Sequence, residues 1–198
     1  MASLHMYTLS IPYFIIFSNL LTPFSNGVFL EEISDILAIN LRSQKTSHLH
    51  FYFHDILSGK KPSSIKIISP GGEGIYGFGK TFICDDALTI GPNASTEVVG
   101  RAQGIYAIAS QSELALLMTM NFEFTQGKYN GSSISILGRN PIMRDVREMP
   151  IVGGTGLFRF ARGYALAHTV WFDAKTGDAT VEYNVSEKPI NVQALQEK

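Results

Sequence analysis

The chain has 198 residues, enough for one domain with a sizeable core and too few to favour two. Its net charge is −1, and its longest basic run is the lysine pair at 60–61, which argues against a nucleic-acid or other polyanionic partner. The single cysteine, Cys84, excludes an intramolecular disulfide, so the fold has to rely on its own core.

The N-terminal region contains an apolar run over residues 7–21. This length suits the core of a signal peptide and is too short to span a bilayer. Ser25 and Gly27 are small residues at positions −3 and −1 of a cleavage site before Val28. We therefore predict that residues 1–27 are a secretory signal peptide and that the protein is extracellular, with a buried N-terminal segment as the alternative.

Residues 28–47 differ from the rest of the chain. Ile33, Ile36, Leu37 and Leu41 recur at helical spacing among polar residues. The spacing predicts a loose leader or a short amphipathic helix, followed by one β domain over residues 48–198.

From residue 49 the apolar period changes to two, with turn residues between short runs. The pattern predicts eight strands, near 49–57, 65–68, 78–86, 98–109, 113–125, 132–138, 157–172 and 178–185. Short connections favour an antiparallel sheet, and closure into a barrel removes its exposed edges. We predict an all-β, eight-stranded antiparallel barrel whose interior is filled by side chains or holds one small ligand.

Alternation along the strands identifies inward-facing residues. Phe53 and Asp55 share one face of the first strand, and Tyr106 and Ile108 share one face of another. Even-numbered residues 114–124 form an unbroken apolar face, which predicts a core strand. Asp55 is the one acid in these apolar faces.

A glycine cluster, "REMPIVGGTGLFRFARG" at 147–163, invites comparison with a phosphate loop. Such a loop needs a helix at its end, whereas the following residues have a strand pattern. We predict that Gly153, Gly154 and Gly156 supply positive φ in a tight connection, and that Phe158 and Phe160 cover the outer wall or an interface between copies.

Two carboxylates are candidates for acid–base chemistry. Asp55 and Glu148 are placed where burial would raise the carboxyl pKa and allow general-acid catalysis. The alternative is that each pairs with an arginine (Arg144, Arg159 or Arg162) to hold loops. Asp85 and Asp86 are predicted to end a strand and bond to loop amides.

Other chemistries find little support in the sequence. The histidines are scattered, and no "GxSxG" nucleophile motif is present. His48 and His50 share a strand face, but surface histidines in such positions are usually solvated, so we predict no metal site. Asn130 and Asn93 begin glycosylation acceptor triplets, and Asn130 is the better candidate because it lies at a predicted hairpin tip; Asn184, within a strand, is the poorest.

Five motifs resemble those of the plant dirigent proteins in order and spacing. They are "FYFHDIL" (51–57), "FICDDALTIGP" (82–92), "VGRAQGIYA" (99–107), "NFEFTQGKYNGSSISILGRNP" (121–141) and "REMPIVGGTGLFRFARGYALA" (147–167). The resemblance implies secretion to the apoplast, an eight-stranded barrel, a homotrimer with one pocket in each barrel, and no cofactor.

The resemblance also implies an activity and a set of site residues. Dirigent proteins guide phenoxy radicals, made by a separate laccase or peroxidase, to one stereoisomer of a lignan-type product through a quinone methide. Asp55, Glu148 and Arg162 match residues implied to be catalytic, and Tyr106 matches an aromatic residue of the pocket. Phe53 and Ile108, on the same inner faces, complete the predicted substrate-binding set.

Three departures from the lignan-forming members leave the activity open. This chain lacks their cysteine pair, has Glu148 in place of their second aspartate, and has a glycine region more similar to that of the legume pterocarpan synthases, which dehydrate an isoflavanol. Its C-terminal tail also differs from that of family members in general, because it becomes polar after Val185 and contains Pro189. Three functions therefore remain as alternatives: a stereodirecting template, a lyase, and a phenolic carrier or wall-associated defence protein without chemistry.

Overall fold

The computed structural model describes residues 30–33, 46–71 and 76–188. The predicted signal peptide lies outside these residues. Leu30–Ile33, within the predicted loose or helical leader, form a short strand instead. No helix in the described ranges has the length and apolarity needed to cross a membrane.

The described residues form ten antiparallel β-strands and two single 3-10 turns. The strands are β1 (Leu30–Ile33), β2 (Thr46–Asp55), β3 (Ser64–Ile68), β4 (Thr81–Thr89), β5 (Val98–Ile108), β6 (Ala115–Phe124), β7 (Ser132–Pro141), β8 (Val146–Thr155), β9 (Arg162–Phe172) and β10 (Ala179–Lys188). The 3-10 turns are Gly127–Tyr129 and Gly156–Phe158. The all-β prediction is confirmed.

Eight of these strands close into a barrel. Strands β4 to β10 pair in chain order, β10 pairs with β2, and β2 returns to β4. The closing contact is short: Tyr52 pairs with Thr89, Phe53 with Leu88, and His54 with Ala87. Strands β1 and β3 add to this barrel at β2 and β4 without entering the closed ring. The predicted eight-stranded barrel is therefore confirmed.

The predicted strand list reaches eight through two errors that offset each other. It counts β3, which lies outside the ring, and it omits β8, which it treats as a glycine-rich turn. Pro150 and the glycines at 153 and 154 are typical of turns, yet they lie within β8, where Pro150 pairs with Tyr164 and faces outward. The predicted strand 157–172 also begins early, since β9 starts at Arg162.

One end of the barrel is filled by aromatic side chains. Phe51, Phe122, Phe124 and Tyr183 are buried there, with ring centroids 5.1–6.0 Å apart in edge and stacked contacts. Phe158 is only 1% exposed and stacks on Tyr129 at 4.8 Å. These rings fill this end of the barrel, and one of them, Tyr183, also lines the cavity at the other end.

The position of Phe158 contradicts its predicted place on the outer wall or at an interface. The 3-10 turn directs its ring into the core, whereas Phe160 is half exposed and has a positive φ of 66°. Of the three predicted positive-φ glycines, Gly156 alone has one, at 60°. Gly154 is required for a different reason: a Cβ there would lie 2.5 Å from the Ser133 carbonyl oxygen and 2.6 Å from that of Phe158.

Two neighbouring glycines of β8 give a matched test of this packing. Gly154→Ala places a methyl group against backbone that cannot move, and we expect the free energy of unfolding to fall by about 1–3 kcal/mol. Gly153→Ala is the control, because the nearest atom to its Cβ would be Arg162 Nη1 at 3.9 Å. Chemical denaturation measures both; equal stability of the two variants would contradict this account.

Candidate functional site

The open end of the barrel contains a cavity of about 390 Å³. Its lining is mainly apolar and includes Phe53, Leu57, Phe82, Ile108, Leu116 and Met118. These side chains come from β2, β4, β5 and β6 and from the segment after β2, because alternation turns every second residue of each strand inward. The volume lies in the range of small-molecule sites, and the lining suits an aromatic ligand.

Polar side chains interrupt this lining, and Tyr76, Arg144, Asp145, Thr169 and Tyr183 are among them. Asp55 ends β2, next to the closing contact with β4, and Tyr106 lies on β5, where it pairs with Phe82. Asn140 and Arg147 lie on β7 and β8, on a different part of the wall. The cavity therefore brings together an acid, a phenol, an amide and a cation.

Asp55 is the inner acid of the cavity, whereas Asp145, which also lines it, is exposed. Burial raises its pKa to about 6; the hydroxyls of Ser64 and Tyr106 oppose this increase, and the charge of Asp178 adds to it. Asp55 Oδ1 and Tyr106 Oη are both buried without a hydrogen-bond partner among the described residues. Buried polar atoms usually have partners, so these two atoms are suited to receive polar groups of a ligand.

Arg147 supplies the buried positive charge of the cavity, whereas Arg144, which also lines it, is exposed. It is 3% exposed, and its Nε donates to Asn140 Oδ1 at 3.1 Å. Its Nη1 donates to the carbonyl oxygens of Arg144 and Asp145 at 3.5 and 3.4 Å. Burial lowers its pKa, but a guanidinium remains charged at neutral pH. A charge fixed in apolar surroundings stabilises an anionic oxygen more strongly than it would in water.

The segment after Asp55 is held by Asp178, which precedes β10. Its Oδ1 accepts hydrogen bonds from the backbone N–H groups of Leu57 and Ser58 at 2.8 and 3.0 Å. Its Oδ2 accepts one from the Ser58 hydroxyl at 2.5 Å. These contacts fix the chain where it leaves the cavity wall.

A second acid, Asp86, lies inside the barrel on β4. It is fully buried and accepts hydrogen bonds from the hydroxyls of Ser63 and Ser64. This contradicts the prediction that Asp85 and Asp86 end a strand, since β4 continues to Thr89. Asp85 faces outward and pairs with Arg101 at 2.8 Å. Alternation with Phe82, Cys84 and Leu88 places Asp86 inside, a signal that the sequence analysis missed.

The structure separates the predicted site residues into two groups. Asp55, Tyr106, Phe53 and Ile108 all line the cavity. Glu148 and Arg162 do not: both are exposed on the outer face of the barrel. Arg162 Nη1 instead donates to the carbonyl oxygens of Val152 and Ala161 at 2.6 and 3.0 Å.

The misplacement of Glu148 follows from the omission of β8. In a strand, Arg147, Met149 and Ile151 point inward, and their outward neighbours are exposed. The apolar Met149 and Ile151 were the signal that would have identified Arg147 as the inward-facing residue. Asn140 was missed because the predicted strand stops at residue 138, whereas β7 extends to Pro141.

The predicted surface histidines contact neighbouring polar groups. His50 Nε2 lies 2.6 Å from Glu182 Oε1, and His48 Nδ1 lies 3.2 Å from Ser186 Oγ. Over the described ranges, no group of three or more histidine, cysteine, aspartate or glutamate side chains is arranged to hold a metal ion.

Comparison with known proteins agrees with this geometry. The family model for dirigent-like protein matches residues 46–186. Dirigent protein 21 of Arabidopsis thaliana is 53% identical over 146 residues, covering 73% of this chain and 77% of its own length. Pterocarpan synthase 1 of Glycine max is 51% identical over 150 residues, covering 74% and 81%. A solved pterocarpan synthase dirigent protein is 49% identical, with a TM-score of 0.73 over 76% of this chain and 99% of that one. The chain therefore belongs to the dirigent-like protein family.

Proposed function

We propose that the protein binds an isoflavanol in its barrel cavity and removes water from it through a quinone methide, as a pterocarpan-forming lyase. The observation that carries this proposal is an acid with a buried carboxylate oxygen, Asp55 Oδ1, in the same apolar cavity as a buried cation, Arg147. Relatives at 49–51% identity named pterocarpan synthase support the substrate class.

The proposed reaction uses the two polar parts of the cavity for different tasks. Protonated Asp55 donates its proton to the leaving hydroxyl, the benzylic C–O bond breaks, and water departs. The phenol conjugated to that carbon gives its proton to solvent, which produces the neutral quinone methide. Arg147 stabilises the negative charge that develops on this phenolic oxygen.

Ring closure returns the site to its starting state. A second phenolic hydroxyl of the substrate adds to the quinone methide carbon, and its proton goes to the Asp55 carboxylate. The first phenolic oxygen regains a proton from solvent. The sum is one isoflavanol converted to one ring-closed product and one water, with Asp55 protonated again.

Stereoselective coupling of phenoxy radicals is the second candidate. Relatives at 53–54% identity that bear the name dirigent protein favour it. A 99:1 product ratio needs only about 2.7 kcal/mol between competing transition states, which the shape of a cavity can supply. This function requires a laccase or peroxidase as the radical source, whereas the lyase requires none.

Removal of the acid tests the lyase directly. We expect wild-type protein to dehydrate an isoflavanol without an oxidase, with a rate that falls as the pH rises through about 6 because Asp55 loses its proton. Asp55→Asn should lower this rate by about 10²–10⁴-fold, and chiral chromatography of the product measures it. Glu148→Gln, on the outer face, is the control and should retain the wild-type rate.

The outcome of that assay separates the candidates. Wild-type protein that is inactive until radicals are generated, and then changes the product ratio, would replace the lyase with the template. Binding of phenols with neither dehydration nor a changed product ratio would indicate that the protein is a carrier. A fully active Asp55→Asn variant would contradict the assigned role of the acid.

The role of Arg147 can be tested with a pair of arginine variants. Arg147→Gln removes the charge beside the developing phenolate, and we expect kcat to fall by about 10²-fold or more. Arg162→Gln removes an outward-facing arginine that bonds to two carbonyls and should leave kcat unchanged. Single-turnover kinetics report the chemical step; equal loss in both variants would contradict the proposal.

The predicted homotrimer is retained as a proposal, supported by the outer wall. Ile65, Ile83 and Ile105 are neighbours across β3, β4 and β5, and all three side chains are exposed. Such a contiguous apolar row is typical of a surface that packs against another protein, here a second copy of the chain. Secretion, and glycosylation at the exposed Asn130 and Asn93, remain proposals as well.

A charge placed in the row tests the oligomer. We expect Ile83→Lys to convert the trimer to a monomer because the lysine cannot be buried between apolar surfaces without a partner. Leu157→Lys, at another exposed apolar position, is the control. Light scattering after size-exclusion chromatography gives the mass; an Ile83→Lys trimer, or a monomeric wild type, would contradict the proposed interface.

A further inference from the structure

Arg147 holds its buried charge among neutral partners. Its Nε donates to the amide oxygen of Asn140, and its Nη1 donates to two backbone carbonyl oxygens. The carboxylate of Asp145, which precedes β8, is exposed and lies 2.9 Å from His168 Nδ1. No carboxylate in the described part of the chain forms an ion pair with the guanidinium. Because buried charges are usually paired, this one is suited to a negative group of a ligand.

The bond to Asn140 also fixes which atoms the wall presents. A guanidinium has only donors, so the atom that faces Arg147 Nε must be the amide oxygen, and the amide nitrogen is left for other partners. Both residues line the cavity, and none of the described residues accepts a hydrogen bond from Asn140 Nδ2 or Arg147 Nη2. This part of the wall therefore offers hydrogen-bond donors to a ligand.

A phenol and its phenolate fit such donors differently. The hydroxyl of a phenol needs an acceptor for its proton, whereas the oxygen of a phenolate only accepts. Hydrogen bonds between a cation and an anionic oxygen are stronger than those between neutral groups. An adjacent cation lowers the pKa of an acid by about 1–3 units. The donors of this wall therefore favour the phenolate.

We propose that the cavity binds phenols as phenolates at Arg147, and that Asn140 is the positioning residue that allows this by holding the guanidinium without neutralising it. An aspartate at position 140 could accept the same hydrogen bond from Nε. Its charge would pair with the guanidinium, and the attraction of Arg147 for a second anion would be lost. The shape of the site would change little, but its preference for the ionised ligand would disappear.

The inference also orders the steps of the proposed dehydration. The phenol loses its proton to solvent on binding, and the phenolate supplies the electron pair that forms the carbonyl of the quinone methide. The benzylic C–O bond breaks, and the leaving hydroxyl takes the proton of Asp55 and departs as water. This order of steps rests on the proposed function, whereas binding of a phenolate does not.

Other ionisable groups surround the guanidinium. They are Arg144 and Asp145 in the turn before β8, His168 on β9, Tyr183 on β10, and Asp55 and Tyr106 on the cavity wall at β2 and β5. Burial lowers the pKa of Arg147, and only Tyr183 and Asp145 oppose this shift among the described residues. Burial raises the pKa of Tyr183, so this phenol stays neutral near pH 7 and does not serve as the missing anion.

A coloured phenol tests the proposal without turnover. 4-Nitrophenol absorbs visible light mainly as its phenolate, so a pH titration with excess wild-type protein gives the midpoint of the bound probe. We expect this midpoint to lie at least about one pH unit below that of the free probe, which is a preference of at least about tenfold for the phenolate. Asn140→Asp should remove the preference. Asn93→Asp adds the same charge in an exposed loop, keeps the acceptor for Ser95, and should match wild type.

An unshifted midpoint in wild type, no binding of the probe, or a lowered midpoint in folded Asn140→Asp would overturn the proposal. Arg147→Gln is the second variant and decides the question if Asn140→Asp does not fold: without the charge, a midpoint that stays lowered would overturn it. Turnover of isoflavanol with an unshifted probe midpoint would overturn the phenolate site and leave the lyase standing. A lowered midpoint in a protein that turns over no isoflavanol would do the reverse.

Discussion

The structure depends on the closure of the sheet between β2 and β4. Three residue pairs join strands that are far apart in the order of the sheet, and they turn an open sheet with two edges into a ring. Closure gives the chain an interior, and His54 reinforces it: its ring nitrogens lie 2.8 Å from Thr89 Oγ1 on β4 and 3.3 Å from Thr180 Oγ1 on β10. Burial of Asp55, and with it the raised pKa, follows directly from this contact.

The two ends of the barrel have different roles: one stabilises the fold and the other contains the candidate site. At one end, aromatic rings pack in edge and stacked contacts and bury the largest side chains of the core. At the other end, the side chains leave a cavity that contains Asp55 and Arg147, and a hydrogen bond to Asn140 holds the Arg147 guanidinium in place. In such a cavity, polar groups of a ligand can replace water at Asp55 Oδ1 and Tyr106 Oη, the two buried atoms that have no hydrogen-bond partner among the described residues.

The sequence predicted the parts of the fold that follow strict alternation. Phe53 and Asp55, Tyr106 and Ile108, and the apolar face of β6 all lie on the predicted sides because a strand has a period of two. It failed at β8, where Pro150 and two glycines indicate a turn and only tertiary pairing keeps the segment extended. That one error moved the site from Arg147 to the outward-facing Glu148.

Asp86 was assigned to a strand end for a different reason. Its neighbour Asp85 is also acidic, and an acidic pair near turn residues usually marks the end of a strand. The chain instead continues as β4 to Thr89, and alternation with Phe82, Cys84 and Leu88 places Asp86 inside. Alternation within β2 therefore predicted Asp55, whereas a strand ended too early concealed Asp86 and the omission of β8 concealed Arg147.

A crystal structure with a bound isoflavan, which has the substrate's rings but no leaving hydroxyl, tests the central claim most directly. We expect the ligand inside the open end of the barrel, with a phenolic oxygen at Arg147 and the benzylic carbon beside the unpartnered Asp55 Oδ1. A ligand bound on the outer wall near Glu148 and Arg162, with the cavity filled only by water, would contradict it.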